Sequence, residues 1–211
     1  MATKAQSERA ASGTRRLGKD SAAAILDVAE RLVQLRGFNG FSYADVAAEL
    51  KVTKASLHYH FPGKAELGEA LMARYAARFA EALALIESEV ADATARLDAY
   101  ADLYADVLTG RRMCLCGMLA AEYETLPGPL REAVISYFDD NEAWLTRVLE
   151  QGRDDGRLRF DGQATELAQT IVSSLEGAML IARPYDDVER FRTAAGRLLA
   201  SLTATAPQPI P

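Results

Sequence analysis

Residues 41–64 read FSYADVAAELKVTKASLHYHFPGK, and this stretch decides the architecture. The Ser42 hydroxyl can cap free N–H groups at a helix start, and Asp45, three residues on, completes a capping-box pattern. Val46, Ala47 and Leu50 supply the buried face of that helix. Lys51-Val52 makes a turn, Thr53 caps a second short helix, and Leu57 and Phe61, four apart, are its buried positions. Pro62-Gly63 ends it, and a third helix follows at once. Two short helices at a tight turn are the outline of a helix-turn-helix that reads DNA.

The second short helix has an apolar stripe covering about a third of its circumference. Lys54, Ala55, Ser56, His58, Tyr59 and His60 therefore leave an exposed surplus. A merely solvated helix would carry Glu and Lys there; hydroxyl and imidazole side chains are poorer helix formers. They do donate to phosphate oxygens and reach base edges in a major groove. A DNA-reading face is expected.

Residues 21 to 70, and above all GFNGFSYADVAAELKVTKASLHYHFPGKAELGEAL, resemble the DNA-binding domain of the tetracycline-repressor (TetR/AcrR) family of bacterial transcriptional regulators. The resemblance implies groove contacts at Lys54, Ala55, Ser56 and His58. It implies phosphate contacts at Ser42, Tyr43, Thr53, Tyr59, His60 and Lys64. His58 stands where the family often has Tyr or Phe, which puts the particular contact of that side chain in question and leaves the groove assignment in place.

Charge follows the same division. Residues 1–64 hold ten Lys or Arg against six Asp or Glu, for +4, whereas residues 65–211 hold fourteen against twenty-four, for −10. A local basic patch would hold the protein on DNA while the acidic body faces away. Residues 1–20 are Ala, Ser, Thr and Gly with scattered Lys and Arg, a composition that cannot build a core. They are expected to be a disordered basic arm, with Arg15, Arg16 and Lys19 placed to follow the DNA backbone or enter a minor groove. No apolar run spans a bilayer or marks a secretory signal, so a cytoplasmic protein without membrane partners is expected.

The rest of the chain reads as helices. Ser21 to Arg36 carries Ile25, Val28, Ala29, Leu32 and Val33 at helical spacing and stops at Gly37. Long amphipathic helices are predicted from Ala65 to about Glu89 and from Val90 to Thr109, and a shorter one from about Arg112 to Thr125. Leu126-Pro127-Gly128-Pro129 is a stop. Further helices run from Leu130 to about Gly152, from an Asp161 cap to Ala182, and from about Asp186 to Thr203. The predicted fold is all-α with about nine helices. A three-helix head over 21–64 precedes a larger effector-binding and dimerisation domain over 65–205, and 206–211 is a loose tail.

Aromatic and sulfur side chains gather in the larger domain. Tyr100, Tyr104, Met113, Cys114, Cys116, Tyr123, Phe138 and Trp144 are the candidates for binding or sensing an effector, although most of such a set is ordinary core. Arg111 and Arg112 would favour a thiolate at Cys114. The stretch RRMCLCGMLAAEYETLPGPLREA also resembles the regulatory domain of the N-ethylmaleimide-repressor subgroup, some of whose members sense electrophiles through cysteine. The bland alternative is that both thiols are small buried hydrophobes. Two cysteines two apart on a predicted helix point about 200° away from one another, so neither a structural disulfide nor a shared zinc is expected. No metal and no cofactor are expected.

Small residues line the last two helices. Ser174, Gly177 and Ala178, with Phe191, Ala195 and Leu198, form the expected dimer interface, because the resemblance implies a four-helix dimer contact there. A two-fold dimer would present two reading helices to a palindromic operator. The whole reads as a repressor released by a small-molecule or electrophile effector that acts through the helix from Ala65 to Glu89 as a lever, and not as an enzyme. A thiol-dependent enzyme using Cys114 and a helical protein-binding adaptor remain as alternatives, although both histidines lie in the head and leave Cys114 without an evident base.

Overall fold

The computed structural model describes residues 21–203; the expected basic arm and the tail at 206–211 lie outside the described residues. Nine α-helices run through them. α1 covers 21–36, α2 is Tyr43–Leu50, α3 Lys54–His60, α4 Lys64–Glu89 and α5 Ala93–Thr109. α6 is Leu115–Ala121, α7 Gly128–Asp154, α8 Ala164–Ala182 and α9 Val188–Ala200, with 3₁₀ turns at Tyr123–Thr125 and Arg183–Tyr185.

Local chemistry sets the boundaries. Asp45 accepts the Ser42 backbone N–H at 2.8 Å to start α2, and Lys51 closes it in the left-handed conformation. Thr53 accepts the Ser56 N–H at 3.3 Å to start α3. α5 begins at Ala93 and not at Val90, because the Asp92 side chain caps it through the Ala95 N–H. Gln163, in a capping box with Glu166, starts α8 in place of Asp161, and Asp187 caps α9.

The largest departure from the sequence reading lies at residues 110–125. Arg111 takes a positive φ of 57°, so the chain turns back before α6 and Cys114 becomes its N-cap residue, outside the helix. Cys114 and Cys116 are thus not two helical positions pointing apart; their thiols interact.

In the head, Ile25, Val28, Ala29, Leu32 and Val33 pack with Phe38, Phe41, Val46, Ala47 and Leu57. Leu57 is fully buried, which contributes about 1.5–3 kcal/mol and fixes which face of α3 points outward. In the body, α8 packs on both α7 and α9, α5 packs on α9, and α4 and α5 close against α7. An antiparallel bridge between Leu158 and Thr203 pins the end of α9 to the α7–α8 connection.

Head and body are joined at two places. On α4, Arg74 bridges Asp27 at 2.7 Å and Glu30 at 2.8 Å, and Arg78 also pairs with Glu30. Two guanidiniums satisfy a carboxylate whose burial would otherwise be costly. The second join uses the end of α1 and the turn after it. The Phe38 N–H donates to Glu122 at 2.5 Å, and the Asn39 amide donates to Thr125 Oγ1 at 2.7 Å. Gly37 sits at φ +84°, where a Cβ would lie 2.6 Å from the Glu122 carboxylate, so both the turn and the close approach require glycine.

Candidate functional site

α3 projects from the head on the strength of its buried Leu57. Thr53, Lys54, Ala55, His58 and Tyr59 are exposed and Ser56 and His60 half-buried; Tyr59 reaches 85% exposure. Solvent-facing aromatic surface of that size costs free energy unless a partner covers it. Ser42 is exposed at the start of α2. The exposed side chains carry hydroxyl, imidazole and ammonium groups.

Four of the expected phosphate contacts are engaged internally: Ser42 Oγ donates to Asp45 at 2.6 Å, Thr53 Oγ1 accepts the Ser56 N–H, and Tyr43 and Lys64 are held more deeply. The Tyr43 hydroxyl donates to the carbonyls of Phe61 and Gly63, at 2.9 and 2.7 Å, and its ring packs on His58 at 4.7 Å between centroids. Burial, with a contribution from the Glu66 charge, pushes its pKa up to about 12. Tyr43 braces the end of α3. The Lys64 ammonium donates to the Phe41 carbonyl at 2.5 Å and lies over the Phe38 and Phe41 rings. Burial lowers its pKa, against the pull of Glu122 and Asp45. His58 Nδ1 lies 2.9 Å from the Pro62 carbonyl.

In the body, six of the eight candidate effector residues come together. Tyr100 and Tyr104 share a hydroxyl contact at 3.0 Å, and Tyr100 donates to Asn141 at 3.1 Å. Trp144 stacks on Tyr100 at 5.6 Å. Met113, Cys114 and Cys116 are buried in the same core. Phe138 is half-buried at its edge against Tyr137, and Tyr123 lies on the turn after α6 with Arg131 over its ring.

The polar centre of this core is a group of residues absent from the candidate set: Tyr75, Tyr137 and Glu176. The Tyr75 hydroxyl lies 3.8 Å from Cys114 Sγ, and Cys116 Sγ lies 3.7 Å from Met72 Sδ. Glu176 of α8 reaches Cys114 with its carboxyl group. Gly117 makes room for it, since a Cβ there would stand 2.3 Å from Glu176 Oε2. Glu176 Oε1, the Tyr137 hydroxyl and Trp144 Nε1 are sealed from solvent and have no hydrogen-bond partner. Buried orphan polar atoms cost about 1–3 kcal/mol each, so each calls for a reason beyond packing.

One negative charge is distributed unevenly over these groups. The neighbouring Cys116 thiol is the largest influence lowering the Cys114 pKa, to about 6; burial opposes it, and Glu176, the Gly117 N–H and the Tyr75 hydroxyl add to it. Burial pushes Cys116 and Glu176 well up. Cys114 is thus shifted toward its ionised form and Glu176 toward its neutral one. Among the described residues, no cluster of His, Cys, Asp or Glu is arranged to hold a metal ion.

The expected dimer residues divide. Ser174 and Gly177 are exposed, Ala178 and Leu198 half-buried, and Phe191 and Ala195 belong to the interior of the protomer. Leu180 and Ile181, one turn beyond Gly177, are 59% and 58% exposed. No described helix is long and apolar enough to cross a membrane.

An all-helical chain with a projecting helix-turn-helix and a separate core holding buried polar groups defines a DNA-binding transcriptional regulator. Comparison with known proteins agrees. The description "Bacterial regulatory proteins, tetR family" matches residues 25–71, and "Tetracyclin repressor-like, C-terminal domain" matches residues 93–198. The chain is 26% identical to the HTH-type transcriptional repressor DhaR of Mycobacterium sp. (strain GP1), covering 80% of this chain and 86% of DhaR. It is also 26% identical to the HTH-type transcriptional repressor NemR of Escherichia coli (strain K12), covering 84% and 92%. A TetR-family regulator from Agrobacterium tumefaciens superposes with a TM-score of 0.86 at 32% identity, over 89% of this chain and all of that one. The chain belongs to the TetR family of transcriptional regulators, and as such it is not an enzyme.

Proposed function

We propose that the protein is a cytoplasmic, homodimeric repressor. It binds a palindromic operator through α3 of each protomer and leaves it when an effector engages the core around Cys114, the preferred effector being an electrophile that reaches the Cys114 thiolate. The observation that carries this reading is the continuity between site and head: Met113, next to Cys114, donates its N–H to the Gln34 carbonyl of α1 at 3.2 Å, and Arg183 at the end of α8 donates to the Leu35 carbonyl. A change at Cys114 therefore pulls directly on the helix that supports the reading face. α4 supplies a second path through Arg74 and Arg78. A coupling of about 1–3 kcal/mol between the two sites changes operator affinity about 5- to 150-fold.

The dimer is supported by the open small-residue strip of Ser174 and Gly177 beside exposed Leu180 and Ile181, where another helix can approach closely and bury apolar surface. The test is selection of bound sequences from a random duplex pool, followed by affinity against salt for the winner. A two-fold symmetric site with steep salt dependence is expected, with affinity lost after treatment with an electrophile in the wild type and retained in Cys114→Ser. No enrichment, or an asymmetric site with shallow salt dependence, overturns the reading.

A further inference from the structure

Glu176 is the least explained residue of the core. A carboxyl group on an otherwise apolar stripe of α8 is held against a thiol, one oxygen has no partner, and the place it occupies exists because residue 117 lacks a side chain. A carboxylic acid adds nothing to packing that a Gln or Met would not supply more cheaply. It does supply a transferable proton.

We propose that Glu176 is the proton donor for addition of Cys114 to α,β-unsaturated carbonyl compounds, so that the site selects electrophiles whose reaction consumes a proton. The proposal rests on the electrophile reading above and assigns its chemistry. The Cys114 thiolate attacks the β-carbon and a sulfur–carbon bond forms. The double-bond pair moves to the carbonyl as an enolate, which expels the thiolate again unless it is protonated. The Glu176 acid delivers its proton to the α-carbon, the product is a saturated thioether, and Glu176 is left as a carboxylate. The negative charge has moved from sulfur to carboxylate, and no oxidant or further reagent is consumed. The orphan Tyr137 hydroxyl is a donor for the acceptor's carbonyl oxygen. Tyr75, Phe79 and Tyr137 form an aromatic cluster beside these groups, with the Phe79 and Tyr137 rings edge-on at 5.3 Å between centroids.

Displacement reagents make the contrast. Iodoacetamide reacts with the same thiolate and expels iodide, with no proton needed, whereas acrylamide, an amide of similar size, needs one. The experiment measures both labelling rates at Cys114 in the full-length protein, with the adduct assigned by fragment-ion mapping, for wild type and Glu176→Gln. Gln keeps the shape and an N–H donor for the thiolate but carries no acid. The acrylamide rate is expected to fall about a hundredfold relative to the iodoacetamide rate, with part of the loss restored in Glu176→Asp. If both rates change together, or neither changes, Glu176 is not the proton donor and the proposal is overturned while the electrophile reading stands. If Cys114 of the wild type reacts with neither reagent, the electrophile reading fails and the proposal with it.

Discussion

Met113 donates its backbone N–H to the carbonyl of Gln34 at 3.2 Å, which ties the residue before Cys114 to the last turn of α1. Carbonyls at a helix C-terminus lack intrahelical partners, and here the larger domain supplies them: Met113 for Gln34, and Arg183 for Leu35. The DNA-reading head thus has its scaffold helix terminated by the domain that holds the thiol core. Site and head are mechanically adjacent, so coupling does not depend on a long displacement of α4.

The Glu122 carboxylate completes this join by accepting the Phe38 and Asn39 N–H groups. Glu122→Gln removes the charge from hydrogen bonds worth about 1.5–3 kcal/mol each when charge-assisted. Operator affinity without effector is expected to change less than threefold, while the ratio of affinities with and without effector shrinks toward one. Fluorescence anisotropy on labelled operator, titrated in both states, measures that ratio. An unchanged ratio would mean that the Glu122 contact only anchors the head.

Tyr43→Phe separates bracing from phosphate contact. The two carbonyls that the hydroxyl serves at the end of α3 lose a donor, and a drop in head stability of about 1–2 kcal/mol is expected by thermal unfolding. Operator affinity should weaken with an unaltered salt slope, because no phosphate contact is lost. A salt slope reduced by about one would instead assign Tyr43 to a phosphate.

Lys54 and Tyr59 carry the opposite expectation, since neither side chain is engaged internally in the way that Tyr43 is. Lys54→Ala should cost about 1–3 kcal/mol and relax base preference at one operator position. Tyr59→Ala should weaken all sequences alike while leaving the unfolding temperature in place. Binding to a panel of single-base operator variants reads both effects.

The head was legible because its signals are local. Capping residues, a two-residue turn and the spacing of Leu57 and Phe61 sit within 24 residues, and the structure places their helices within a residue or two of the expected bounds. The cysteines were legible as residues and not as geometry. A helix was expected across Arg112–Thr125, but Arg111 takes a positive φ in a Schellman-type close of α5, its N–H on Leu108 and that of Arg112 on Val107, with arginine where a glycine would have announced it. Glu176 had a signal that went unread: Val172, Glu176 and Met179 lie on one helical face by their spacing, and a carboxylate in that apolar row stands out. Tyr75 and Tyr137 gave none, since an aromatic at a core position looks the same whether or not its hydroxyl has work to do. Phe191 and Ala195 were assigned to a dimer surface by resemblance, whereas the structure buries both within the protomer.

Leu180 and Ile181 test the dimer without touching the core. Charged substitutions there, Leu180→Glu with Ile181→Lys, replace exposed apolar surface on the end of α8 and should leave the fold intact. Sedimentation at micromolar concentration is expected to shift from dimer to monomer, and affinity for the two-fold site to fall toward that for a half-site. A dimer that survives both changes places the interface elsewhere.

Glu176 also leaves a mark on stability that pH can isolate. Its pKa is raised in the folded state by burial and then by the Cys114 charge and hydrogen bond, so above the ordinary value of about 4.5 the folded chain holds a proton that the unfolded chain releases. Stability from this group is complete below pH 4.5 and falls as pH rises, by up to about 1.4 kcal/mol per pH unit. Cys114 acts with the opposite sign: its pKa is lowered from 9.0 to about 6, so between those values the unfolded chain holds the proton and stability rises with pH. Above pH 6 the rising Cys114 slope opposes the falling Glu176 slope. Between pH 4.5 and 6 Glu176 acts alone. Over that window the wild type should lose stability relative to Glu176→Gln, at about 2–4 °C in unfolding temperature per kcal/mol for a domain of this size. Parallel melting curves measured in steps of half a pH unit show whether the gap opens above pH 4.5 and goes on widening, since the Cys114 slope is common to both proteins; a gap that is constant with pH would mean that the carboxyl is ionised in the folded protein and is not the acid beside the thiolate.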